Sequence, residues 1–157
     1  MASDDQDGAE TERKRDDRRY MELLQELRVA QTGVQFLFAF LLTLAFTQRF
    51  AQVTEFQKWL YIGTLIATAL ASALLIGPVP LHRILFRRGL RPLLIRGTDL
   101  MARGGLSLLL VAINGAVLLI LDVVVGGVWA AIMGAFTTAW FLFVWVVAPM
   151  AARRAGE

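Results

Sequence analysis

The chain has no cysteine, a single histidine and, among its sixteen basic residues, only two lysines. The first absence excludes disulfides, thiolate nucleophiles and cysteine-based metal sites. The second means that His82 cannot help build a multi-histidine metal centre within one subunit. No Ser/His/Asp spacing, nucleotide-binding loop or metal-ligand cluster occurs, so the chain is expected not to be an enzyme and to carry no catalytic, cofactor-binding or metal-binding residue. Basic stretches without interleaved aromatics or a DNA-reading motif exclude nucleic acid as a partner. No secretory signal is expected either, because about thirty polar residues precede the first apolar run, whereas a signal peptide follows its short basic start at once with an apolar core.

What the chain does have is apolar length. It is 57% hydrophobic, its mean hydropathy is +0.57, and its charges are gathered in blocks. Six bases precede Gln31, two lie in 47–58, six in 81–103, none between the last two apolar runs and two at the end. That alternation is the positive-inside pattern of four spans with both termini cytoplasmic. The expected fold is an all-α membrane protein of four helices in two antiparallel hairpins, with spans at about 29–47, 59–79, 105–125 and 128–150. Within the membrane domain, 31–150, interfacial helices are expected between spans two and three, where Gly89 and Pro92 divide an arginine-rich segment carrying apolar clusters. The preference for arginine, with abundant Ala, Gly and Val, fits a GC-rich bacterial genome and hence a bacterial cytoplasmic (inner) membrane.

Ahead of the spans, residues 1–11 are acidic and nearly free of apolar side chains, which predicts a disordered tail. Over 12–30, Tyr20, Leu23, Leu24 and Leu27 recur at helical spacing and predict an amphipathic cytoplasmic helix running into the first span. Gln31 and Gln35, four apart at its cytoplasmic end, should face other helices, since an amide in lipid is costly. In the second span Trp59 and Tyr61 sit at headgroup level. Its small residues Gly63, Ala67 and Ala71, beside Thr64, Thr68 and Ser72, form the best packing face, spare for a homo-oligomer if the bundle does not use it. Gly126-Gly127 leaves no room for anything but a tight link between the last two spans. The last span carries Trp129 at its outer end, with Trp140 and Trp145 deeper or inward, and 151–157 form a basic tail.

The block ELLQELRVAQTGVQFLFAFLLTLAF at Glu22–Phe46, followed by the PxxLHRILFR pattern at Pro78–Arg87, resembles a family of small four-span integral membrane proteins of actinobacteria and other bacteria without an established function. The resemblance covers roughly residues 20–145. It implies the same four-span fold and brings no catalytic residues. Some members carry the label sodium:proton antiporter, but a chain this short lacks the discontinuous helices and paired midplane carboxylates such transport usually needs.

Three groups of residues are candidates for function. Glu22 or Glu26, near the start of the first span, is expected to pair with Arg83 or Arg87 beyond the second, with His82 close by, locking the N-terminal helix onto the arginine segment. Arg88, Arg91 and Arg96 are expected to contact lipid headgroups. Asn114 and Asp122 are the polar residues within the third span: Asn114 shares a face with Ser107 and should hydrogen-bond a neighbouring helix. Asp122 lies near the outer rim, within reach of Arg49 or Lys58, unless it serves as an ion or proton site. The function expected is a non-enzymatic membrane protein whose basic cytoplasmic face binds anionic lipid, a partner protein or both. The alternative is a small oligomeric ion or proton transporter or channel subunit.

Overall fold

The computed structural model describes residues 2–80 and 91–155, and every regular element among them is a helix. In order these are α1 (Ala2–Ala45), a 3₁₀ turn (Gln48–Gln52), α2 (Glu55–Ile76), α3 (Arg91–Val124), α4 (Gly127–Leu142), a π-helical turn (Phe143–Val147) and α5 (Ala148–Ala155). Four stretches are long and apolar enough to cross a membrane: Leu24–Ala45, Glu55–Pro80, Gly97–Val124 and Gly127–Ala151. Large apolar side chains such as Phe36, Trp59, Phe136 and Trp140 lie on the outside, where a water-soluble protein would bury them and a multi-pass membrane protein presents them to lipid.

Three boundaries differ from expectation. The acidic residues from Ala2 onward and the amphipathic stretch after them belong to one helix continuous with the first span. Acids lead and bases follow, the order that suits the helix dipole, and Glu10 and Lys14 stand four apart. The third span begins at Gly97 rather than Gly105. Asp99 and Arg103, one turn apart, close a two-bond ion pair (Nη2 to Oδ2 2.8 Å, Nε to Oδ1 3.0 Å), and this carries the helix through the charged stretch. The expected second interfacial helix around Leu93–Ile95 is therefore the start of α3, with Pro92 in its first turn, where a missing N–H costs nothing. The cluster Ile84–Phe86 lies outside the described residues. In the last span the ring of Pro149 would meet the carbonyl four residues back. There the helix widens, and the Ala148 N–H reaches the Phe143 carbonyl, five residues back.

The core is a heptad seam. On α3 the buried positions are Thr98, Ala102, Gly105, Leu109, Ala112, Ala116 and Leu119; on α2 they include Tyr61, Thr64, Thr68, Ala71 and Leu75; on α1 they are Leu27, Val34 and Leu41. Spacings of three and four alternate along α2 and α3, as in coiled coils, and α1 keeps the full seven. Small residues let α2 and α3 approach most closely. A Cβ on Gly105 would come within 2.8 Å of Leu75 Cγ, and one on Gly115 would collide with Thr64 Oγ1. The small-residue face of α2 is thus used inside the bundle, with Ala67, Thr68 and Ala71 buried, whereas Gly63 is exposed with nothing near it. Among the described residues α4 packs chiefly on α3, burying Ala130 and Gly134; Trp140 and Trp145, expected deeper or inward, do not turn into the bundle but are exposed. Between α3 and α4, Gly126 and Gly127 both take positive φ (72° and 56°), which a side chain would strain.

Candidate functional site: a polar groove between the third and fourth spans

Two glutamines tie the helix ends together. At one end of the bundle the Gln31 amide donates to the Leu75 carbonyl at 2.6 Å. That carbonyl lies in the last turn of α2, so the glutamine ties the first span to the end of the second. Gln35, expected to share this role, is exposed. At the other end Gln57 closes a capping box on Thr54: its Oε1 accepts from the Thr54 N–H (2.9 Å) and its own N–H donates to Thr54 Oγ1 (3.2 Å). The same side chain then donates from Nε2 to Asp122 Oδ2 at 2.9 Å. The expected partners of Asp122 are engaged otherwise or apart: Lys58 faces Glu55 (3.7 Å), and Arg49 is exposed. Among the described residues no base pairs with Asp122.

Asp122 stands at the mouth of a groove of about 560 Å³ between α3 and α4. Asn114, Leu118 and Asp122 succeed one another at four-residue intervals along the α3 wall; Ala131, Ala135 and Thr138 line the α4 wall, and Phe56 of α2 reaches the same space. The groove owes its room to small residues, since Gly127, Ala131, Gly134 and Ala135 present little side chain to it. Deeper along it Thr138 Oγ1 donates to Asn114 Oδ1 (3.0 Å), and Asn114 Nδ2 donates to the Leu110 carbonyl (2.8 Å). Asn114 thus makes the expected interhelical hydrogen bond, while Ser107 is exposed and takes no part. Tyr61 points into the bundle: its hydroxyl donates to the Leu41 carbonyl (3.0 Å), and its ring meets Phe50 edge to face.

A model of a family of unknown function (DUF6328) matches residues 9–149, nearly the whole chain. The chain belongs to the DUF6328 family. No curated protein and no solved structure matches it. The DUF6328 match takes in three spans and all but the end of the fourth, both glutamine ties and the groove, along with most of the polar part of α1.

The candidate residues on the arginine-rich side of this DUF6328 chain fall differently. His82, Arg83, Arg87 and Arg88 lie outside the described residues, while Arg91 and Arg96 stand in the first turns of α3. Glu22 pairs with Arg18 one turn earlier (3.1 Å), with both side chains well exposed, and Glu26 is exposed. Among the described residues no group of three or more His, Asp or Glu side chains is placed to hold a metal ion.

Sequence reasoning missed Gln57. Its signal was present, because Thr54 followed three residues later by Gln just before an apolar run is a capping-box pattern.

Proposed function

We propose that this DUF6328 chain is a non-enzymatic protein of a bacterial inner membrane, its four spans forming two antiparallel hairpins with both termini cytoplasmic, and that its basic cytoplasmic side binds anionic lipid and presents a helical arm to a partner protein. The observation that carries this reading is that twelve of the sixteen basic residues lie, in sequence, before the first span, between the second and third, or after the fourth, with Arg28 and Arg103 near the same ends of the first and third spans. Contacts that match early with late residues support that common end: Gln31 with Leu75, Leu41 with Tyr61, Leu75 with Gly105, and Asn114 with Thr138. On that register Leu24, Pro80, Gly97 and Ala151 share one membrane surface. Each base near an anionic leaflet contributes about 1 kcal/mol, so a dozen or so make a strong lipid preference. From the same surface α1 continues to Ala2, an arm of about 33 Å at 1.5 Å per residue.

Thermal unfolding in lipid nanodiscs tests this. Replacing phosphatidylcholine with phosphatidylglycerol should raise the midpoint, and the triple variant Arg88→Gln, Arg91→Gln, Arg96→Gln should remove most of that rise. Equal stability of the unaltered chain in both lipids would refute the lipid-binding role.

A second reading, a small oligomeric ion or proton transporter subunit, is favoured by one observation: Asp122 and Asn114 line the same groove. It requires a proton or sodium flux in proteoliposomes that Asp122→Asn abolishes.

A further inference from the structure

Among the described residues, the groove between α3 and α4 has a charge without a counter-charge. Asp122 is half-buried at its mouth, and Gln57, its one hydrogen-bond partner among the described residues, is neutral. Inside, the polar groups are already engaged: Thr138 Oγ1, with one proton, donates to Asn114 Oδ1 or to the Gly134 carbonyl, and Asn114 Nδ2 donates to the Leu110 carbonyl. Leu118, Ala131 and Ala135 supply apolar walls that stay open on the lipid side. From Asp122 to Asn114 is eight residues, about 12 Å along the helix. We propose that this groove is a binding site for a single-chain amphiphile with an ammonium head, the head at Asp122 and the alkyl chain lying along the groove toward Asn114.

Size and charge select this ligand over others. A volume of about 560 Å³ falls within the range of small-molecule sites and suits one chain. A bare metal ion would find one carboxylate, since the amide and hydroxyl deeper in the groove are already engaged with each other. A phospholipid would bring a phosphate toward Asp122 with no base in the groove lining to receive it. An alkylammonium ion supplies the missing positive charge, and the aromatic ring of Phe56 at the same groove offers it a second favourable surface.

The experiment measures binding of radiolabelled dodecyltrimethylammonium to the full chain in phosphatidylcholine nanodiscs, with empty discs subtracted. Saturable binding of one probe per chain is expected. Asp122→Asn, which keeps an acceptor for Gln57 and removes only the charge, should weaken it about tenfold. Ala135→Phe, which fills the exposed α4 wall and leaves Asp122 in place, should weaken it as well. Both variants are read only beside an unchanged unfolding midpoint, so lost binding is not lost fold. Unaltered affinity in both variants would overturn the proposal, as would equal binding of dodecyl sulfate. Displacement of the probe by phosphatidylethanolamine in the disc would also overturn it, since the occupant would then be a bilayer lipid.

Discussion

Close contact between α2 and α3 depends on single missing atoms. A Cβ on Gly105 would press on Leu75 Cγ and Cδ2 at 2.8 and 2.9 Å, and Leu75 is fully buried with little space to move into. Gly105→Ala should therefore destabilise the fold by about 1–3 kcal/mol, the usual cost of overpacking. Gly63→Ala, with nothing within 4 Å, should be neutral or slightly stabilising through helix propensity. Unfolding in mixed micelles compares the two, and equal effects would contradict the packing described. At the start of α2 Gln57→Glu separates the capping role of Gln57 from its contact with Asp122. The carboxylate still completes the capping box but faces a second carboxylate where an amide donor stood, so stability should fall at neutral pH and recover as the medium is acidified. Loss of stability that does not depend on pH would mean that Asp122 is not the cause.

Helix ends were less legible in the sequence than helix existence, for reasons visible in particular residues. Apolar length announced all four spans, yet the start of the third lay hidden behind Asp99 and Arg103, whose opposite charges read as a loop until paired across one turn. Pro149 likewise left no trace in hydropathy although it sets the π turn before it. The two glutamines at the start of the first span looked alike in sequence. They part company because the α1 seam passes through Leu27, Val34 and Leu41, which turns Gln31 toward α2 and Gln35 away from it. Gln31→Leu should thus cost about 0.5–2 kcal/mol by uncovering the Leu75 carbonyl, while Gln35→Leu should cost nothing or stabilise the protein in a membrane. A scan of both variants by thermal unfolding in nanodiscs checks the sign of each.

For the molecule as a whole, the small-residue stripe on the second span could be read from the sequence, but not which helix covers it. Span three carries its own small residues at Gly105, Ala112, Gly115 and Ala116, and it takes the face that would have been spare for a second copy had the bundle not used it. Cysteine at Ala67 or Ala71 should accordingly give no intermolecular disulfide, whereas Thr64→Cys with Gly115→Cys should cross-link within one chain. The basic cluster around His82, Arg83 and Arg87 lies outside the described residues, so the proposed lock between it and Glu22 or Glu26 rests on sequence alone. The central claim is the orientation that puts nearly all the basic residues in the cytoplasm, and because the chain has no native cysteine, single cysteines report it directly. With Ala9→Cys, Gln52→Cys and Val125→Cys expressed one at a time, a membrane-impermeant maleimide added to intact cells should label positions 52 and 125, and position 9 only after permeabilisation. Labelling of position 9 in intact cells, or protection of position 52, would contradict the account.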